Sequence, residues 1–250
     1  MKKLKISNKI QDLFDYRKLT MLLSMDHKLE SKFLKKLFKL QTAIYYLDQY
    51  LENNWELKNK TLKSHWKMII KQLVSLGYSN EQACLKTNHI RRYQKQEVQL
   101  RSNLYPTRLN QEFYYHYKTC DVRLIREIIH DKYKQLNNFL PHSAWRYFDI
   151  VSEVNDDIED VFEDQHSING NFFLISLIEQ GLDKTRSDFI SFLDLMAQKQ
   201  TEINNKNLVG SSQLELWFDE YLIDTKLLLD KNLQQISKMN TSLRCLLFDD

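Results

Sequence analysis

The stretch Val154-Asn-Asp-Asp-Ile-Glu-Asp-Val-Phe-Glu-Asp164 decides how this 250-residue chain is interpreted. Seven of its eleven residues are carboxylates or the neighbouring asparagine. Side chains three and four apart on a helix are neighbours, so Asp156, Asp160 and Asp164 are expected to lie along one side. Like charges stacked in this way repel one another, and a divalent cation such as Mg²⁺ would remove the repulsion because it prefers carboxylate oxygens. The stretch is therefore either a metal site or a solvated acidic face.

The residues around this stretch support both interpretations. Ile150, Val154, Ile158 and Val161 form an apolar side with the acids largely opposite, which favours a face turned to solvent. Solvent faces usually mix lysine and arginine among the acids, yet neither residue type occurs between Arg146 and Lys184. In a bundle around a cavity, a helix can also turn its polar face inward. The periodicity leaves the choice open.

The composition predicts an all-α protein. Four glycines and two prolines in 250 residues are few, which disfavours tight β-turns and favours helices. Apolar spacings of three and four predict about eight or nine helices in a single domain that covers residues 1–250. The predicted helices span about 7–24, 26–54, 57–77, 80–102, 109–138, 142–165, 171–180, 184–204 and 213–237, and the apolar side of the second includes Leu37, Ile44 and Leu47. Two capping boxes, Ser79 with Gln82 and Ser212 with Glu215, mark predicted helix starts.

The composition and the missing motifs also argue against several classes of protein. A net charge of +3 is too small to indicate a nucleic-acid partner. Three cysteines without metal-ligand spacing suggest a reducing cytoplasm. No apolar run is long enough for a secretory signal or a membrane span, so we expect a soluble protein, with peripheral membrane contact left open. The chain has no glycine-rich phosphate loop, no HExxH motif and no nucleophile elbow.

A second informative stretch runs from Tyr114 to His130, inside a helix predicted over about 109–138. Helical spacing places a set of mostly basic and polar side chains along one stripe, with Lys118 at its border: His116, Thr119, Arg123, Arg126 and His130. Arginine in such a stripe can bind phosphate, because its planar fork matches the phosphate oxygens. The alternative is an ordinary solvent face with scattered charges.

Three segments of the chain, and the order in which they follow one another, resemble the class I isoprenoid synthase superfamily. This superfamily includes the trans-prenyltransferases and the squalene/phytoene synthases. Asp156-Asp-Ile-Glu-Asp160 is similar to the second DDxxD motif of that superfamily. Asp160-Val-Phe-Glu-Asp164, followed by Gly170-Asn-Phe-Phe, resembles the DxxED element of the squalene/phytoene branch. Lys118-Thr119 resembles the Lys-Thr pair that contacts diphosphate. The first acidic motif has only a weak counterpart, Asp48 and Glu52.

The resemblance implies a bundle around a central cavity and a Mg²⁺-dependent synthase or transferase that ionises an allylic prenyl diphosphate there. The activity would be that of a transferase or a lyase. It implies catalytic roles for Asp156, Asp160 and Lys118. The implied metal ligands are Asp156, Asp157, Asp160, Asp164, Asp48 and Glu52. The implied diphosphate-binding residues are Lys118, Thr119, Arg123 and Arg126.

Two alternatives remain beside the enzyme. The weak first motif suits a catalytically degenerate regulatory subunit that pairs with an active synthase, and a homodimer is a further expected assembly. The chain could also be an unrelated helical protein-interaction module whose charged helices are solvated. Stabilisation by Mg²⁺ and a diphosphate together would separate the first hypothesis from the last.

Overall fold

The computed structural model describes residues 2–25, 30–54, 56–100, 110–164, 170–205 and 210–239, without the side chains of 2–5 and 96–100. Those residues contain helices and no strand, which confirms the all-α prediction. The thirteen α-helices among them are α1 (Lys2–Tyr16), α2 (Leu19–Ser24), α3 (Ser31–Glu52), α4 (Asn59–Ser75), α5 (Asn80–Lys86), α6 (Asn88–Leu100), α7 (Gln111–Lys118), α8 (Cys120–Lys132), α9 (Leu136–Phe139), α10 (Arg146–Glu159), α11 (Val161–Asp164), α12 (Phe172–Asn204) and α13 (Ser211–Lys238). Ten have seven or more residues.

The contacts divide the chain into two compact units. Unit 1 comprises Met1–Gln94 and Cys120–Leu136, and unit 2 comprises Lys95–Thr119 and Asn137–Asp250. Each unit is described by itself. The single domain over residues 1–250 and its central cavity stay predictions.

Unit 1 is built on α3, which packs against α1, α4 and α8. The predicted apolar spacing along α3 is buried, as at Leu37, Ile44 and Leu47. A polar contact joins α3 to α8, where the Gln41 side-chain amide donates to the Asp121 carboxylate at 2.9 Å. The long apolar face of α3 therefore provides the core of this unit.

Unit 2 is built on α10, which packs against α7, α12 and α13. Every residue from Phe148 to Asn155 is buried, so α10 has no broad solvent face over these turns. Its polar side chains find partners on neighbouring helices. The Asn155 amide donates to the Thr225 hydroxyl at 2.9 Å, and the Asn232 amide donates to the Ile158 carbonyl at 2.6 Å. The first part of the acidic stretch therefore belongs to α10, a helix that α7, α12 and α13 surround.

The described helices outnumber the eight or nine predicted because four predicted helices are broken. The first, expected over about 7–24, divides into α1 and α2. The two expected over about 171–180 and 184–204 are instead joined in α12, which is kinked at Gly181. The helix expected over 80–102 divides at Thr87, and that expected over 109–138 divides at Thr119. Each threonine hydroxyl donates to the carbonyl three residues earlier, at 2.9 Å, while its amide keeps the helical bond to the carbonyl four residues earlier. The helix expected over 142–165 begins as a 3-10 turn at His142–Trp145 and breaks at Asp160.

The two capping predictions had different outcomes. The box at Ser79 and Gln82 is confirmed, with both reciprocal hydrogen bonds present. The box at Ser212 is wrong, because α13 begins after Gly210 without a side-chain cap. The Gly210 amide donates to the Phe139 carbonyl at 2.9 Å, and this bond sets the helix start. Within the described part of the chain, no helix combines the length and apolar character required to cross a membrane.

Candidate functional site

Asp157 is the centre of a buried polar network in unit 2. Its side chain is fully buried, and the Lys118 ammonium donates to its Oδ1. Its Oδ2 accepts from the Tyr115 hydroxyl and from the Phe172 backbone amide, each at 2.9 Å. One carboxylate therefore connects the end of α7, the middle of the acidic stretch and the first residue of α12.

The start of α12 fixes the acidic stretch at a second point. Asn171 caps this helix by accepting from the Leu174 amide at 2.9 Å. Its side-chain nitrogen donates to the Asp157 carbonyl at 2.6 Å and to the Asp164 carboxylate at 2.8 Å. The Tyr114 hydroxyl donates to the Gly170 carbonyl. The structure therefore brings Lys118, the acidic stretch and the Gly170-Asn-Phe-Phe segment together.

Burial and ion pairing set the protonation of this network. Burial alone would lower the pKa of Lys118, but the Asp157 carboxylate reverses the effect and raises that pKa well above its usual value. Burial raises the pKa of Asp157, while Lys118, Tyr115 and the Phe172 amide oppose the rise. Burial also raises the pKa of Tyr115, with a further contribution from Asp157. Lys118 is thus a cation and Tyr115 a neutral hydrogen-bond donor.

Four of the five remaining acids form an acidic edge, which we define as Asp156, Asp160, Glu163 and Asp164. Asp160 is exposed and follows the last residue of α10, where the backbone leaves the helix. The Glu163 and Asp164 amides donate to its carbonyl at 2.9 and 2.8 Å, and α11 begins there. Although Asp160 is reached by solvent, the surrounding protein removes part of the hydration of its carboxylate, and this desolvation, followed by the charges of Asp164 and Asp156 and then of further acids, raises its pKa to about 7. The acidic edge therefore concentrates negative charge that a cation would relieve.

Magnesium binding at the acidic edge stays a prediction. Among the described residues, no group of three or more His, Cys, Asp or Glu side chains is arranged to hold a metal ion. Mg²⁺ is usually held by one or two carboxylates, with water and substrate phosphates completing its shell. In that mode Asp156 and Asp160, which are four positions apart, would be the two carboxylates. Asp157 does not fit it, because its oxygens accept from three protein donors.

Four other predicted site residues belong to unit 1. Asp48 and Glu52 lie in the last turns of α3, and both are half-buried. Arg123 and Arg126 lie in α8, where Arg126 is fully buried and donates to the Arg17 carbonyl at 2.8 Å. The prediction of one continuous cationic stripe is wrong, because the helix expected over 109–138 divides at Thr119 into α7 and α8. The roles of these four residues in metal and diphosphate binding stay predictions.

An aromatic groove of about 380 Å³ lies beside the network in unit 2. Phe172 and Phe192 line it, and the Tyr115 ring packs against both, with centroid distances of 5.8 and 5.9 Å. The other lining residues are Gln111, Ser176, Gln180, Asp188, Phe189, Ser191 and Leu195. The sequence patterns did not single out Tyr115 or Asn171 as partners of the acidic stretch. Asn171 lies in the Gly170-Asn-Phe-Phe segment of the resemblance, and Tyr115 lies one helical turn before Lys118.

Comparisons with protein-family models, with curated proteins and with solved structures gave no significant match. The resemblance to the class I isoprenoid synthases therefore depends on the residues themselves. Of those, Lys118, Asp156, Asp157, Asp160 and Asp164 are assembled in unit 2, together with the segment after Gly170.

Proposed function

We propose that the chain is an isoprenoid synthase-like protein that binds an allylic prenyl diphosphate with Mg²⁺ at the acidic edge of unit 2. One observation carries the proposal. Lys118 and Asp157, from two segments that the resemblance singled out independently, form a buried ion pair although 39 positions separate them. A solvated acidic face would need no such partner, because its carboxylates would be hydrated.

The chemistry requires positive charge at the diphosphate. Diphosphate leaves an allylic carbon readily only when its developing charge is neutralised, and bound Mg²⁺ supplies that neutralisation. Asp156 and Asp160 would hold the ion, with Asp164 beside them. Lys118 neutralises Asp157, the buried acid of the Val154–Asp164 stretch, so Asp157 adds no uncompensated charge beside the acidic edge. Asn171 restrains Asp164 through its side-chain amide.

The aromatic groove supplies a place for the hydrocarbon part of the ligand. Phe172, Phe189 and Phe192 present apolar rings there, and Leu195 extends the apolar surface. Aromatic ring faces also attract cations, so a carbocation would be stabilised beside them. Tyr115 joins this wall to the polar network, since its ring packs on Phe192 while its hydroxyl binds Asp157.

A thermal unfolding experiment with four conditions tests the proposal. The protein is measured alone, with Mg²⁺, with farnesyl diphosphate, and with both. A ligand at about 100 times its Kd stabilises a protein by about 2.7 kcal/mol, which corresponds to roughly 5–10 °C for a chain of this size. We expect that increase only when both are present.

Two variants sharpen this experiment. Asp156→Ala should lose the combined increase, because it removes a proposed metal ligand. Asp219→Ala should keep it, because that exposed acid lies on α13 of the same unit, apart from the acidic edge. An equal increase in both variants, or none in the wild type, would contradict the proposal and favour the interaction-module alternative.

A second candidate function is a regulatory subunit of an active synthase. The favouring observation is that Lys118 and Asp157, two residues with predicted chemical roles, bind each other. Release of inorganic diphosphate from farnesyl or geranyl diphosphate distinguishes the candidates. Release that depends on Asp156 supports an enzyme. Stabilisation without release supports a regulatory subunit.

A further inference from the structure

Helix α4 and its flanking residues carry a concentration of positive charge in unit 1. The segment from Lys58 to Asn80 contains five lysines and no aspartate or glutamate, although the whole chain is almost balanced. Four of these lysines lie within α4. The charge is therefore a local property of one helix.

A groove of about 490 Å³ runs along this helix. Its floor contains Trp66, Ile70 and Val74. Its basic rim is formed by Lys63, Lys67, Lys71 and Arg91. Asn80 also lines the groove. The Arg91 guanidinium is stacked over the Trp66 ring, 4.0 Å from the centroid, so a fourth cation is held at the groove. The groove combines an apolar floor with a cationic rim.

The helical geometry places apolar and basic side chains on the same exposed side of α4. At about 100° per residue, Lys63, Lys67 and Lys71 share an arc of about 80° with Ile70 and Val74 beside or within it. A different side, with Trp66, Ile69 and Leu73, is buried. Val74 is 40% exposed and Met68 is 49% exposed. Within the described part of the chain, no carboxylate forms an ion pair with the three lysines.

We propose that this face of α4 docks on an anionic phospholipid surface. Lysine stems can lie along an apolar strip while their ammonium groups reach outward to lipid phosphates. Ile70 and Val74 would enter the boundary between headgroups and acyl chains, as the apolar face of an interfacial helix does. Basic residues near a membrane attract the negative charge of anionic lipids. A lipid surface offers both partners at once, because its phosphates pair with the lysines and its acyl chains receive the apolar floor.

Vesicle co-sedimentation tests this proposal with the full chain. Vesicles of phosphatidylcholine alone are compared with vesicles that also contain phosphatidylglycerol. The test variant is Lys63→Gln/Lys67→Gln/Lys71→Gln. The control variant is Lys32→Gln/Lys35→Gln/Lys39→Gln, which makes the same change in net charge at exposed positions of α3 in the same unit.

We expect binding only to vesicles with phosphatidylglycerol. Each basic residue near an anionic surface contributes about fivefold to partitioning, so the test variant should bind about a hundredfold more weakly. The control should stay within about threefold of the wild type. Val74→Asn should weaken binding to the phosphatidylglycerol vesicles by a factor that does not change with salt, because it removes an apolar contact that salt does not screen. Circular dichroism checks that each variant is folded.

Three results would overturn the proposal. Equal binding to uncharged vesicles would show adhesion without charge recognition. Equal losses in the two triple variants would show that net charge alone matters. Binding of a soluble poly-glutamate peptide at this face, with no vesicle binding, would assign the groove to an acidic protein partner.

Discussion

Breaking the buried ion pair between Lys118 and Asp157 should destabilise unit 2 strongly. The Asp157 side chain is 0% exposed and that of Lys118 is 16% exposed, so solvent replaces the lost partner poorly. Removing one member of a buried pair costs about 3–5 kcal/mol. Because Lys118 retains some solvent contact, we expect about 3 kcal/mol for Asp157→Asn and about the same for Lys118→Met.

The double variant gives the sharper result. It removes both charges, so the cost of leaving one of them unpaired in the interior disappears. The two single variants together would lower the free energy of unfolding by about 6 kcal/mol if their effects were additive. We expect the double variant to lower it by only about 3–4 kcal/mol, which corresponds to a coupling energy of about 2–3 kcal/mol for residues in direct contact. Urea unfolding followed by far-ultraviolet circular dichroism measures all four proteins.

An exposed pair in the same unit provides the control. Lys184 and Asp188 form an ion pair on α12, with side chains 62% and 36% exposed. Asp188→Asn should change the free energy of unfolding by less than about 1 kcal/mol. Additive effects at Lys118 and Asp157, or single-variant losses no larger than that of the control, would refute the account of the network.

Three further predictions concern the acidic stretch. In EDTA, the free energy of unfolding should fall as the pH rises from about 4 to about 7. The reason is that Asp160 loses its proton near pH 4 in the unfolded chain, whereas the folded residue, with its raised pKa, retains the proton to about pH 7. In a pH series of urea unfolding curves, Asp160→Asn should flatten this decrease. Asp156→Ala should leave the melting temperature of the metal-free protein within about 2 °C in calorimetry, since a half-exposed acid supports little packing. Asn171→Ala should cost about 2 kcal/mol in urea unfolding through the lost cap and buried bonds, whereas a loss below about 0.5 kcal/mol would contradict that role.

The fold class follows from the sequence because few glycines and prolines and long apolar spacings leave helices as the favoured structure. The broken helices do not follow from it. Thr87 and Thr119 lie inside good periodic patterns, and their effect depends on a hydroxyl bonding back to the preceding turn. Periodicity also assumes one buried side, whereas α10 has neighbours on several sides and buries polar residues such as Asn155.

The acidic stretch shows the same limit at the level of single residues. Asp156 and Asp157 are adjacent in a motif that treats them alike, yet they point about 100° apart on the helix. One is half-buried at the acidic edge and the other is enclosed by Lys118, Tyr115 and Phe172. That difference in burial is set by tertiary contacts. The motif therefore identifies both aspartates as candidates, and only the structure distinguishes their surroundings.

The most direct test of the proposed function is calorimetric titration with a non-ionisable thiolo analogue of farnesyl diphosphate. We predict binding at least tenfold tighter in Mg²⁺ than in EDTA, and loss of that difference in Asp156→Ala/Asp160→Ala. Asp219→Ala should bind like the wild type. Equal affinity with and without Mg²⁺, or no binding at all, would contradict the assignment of the acidic edge as a metal-dependent diphosphate site.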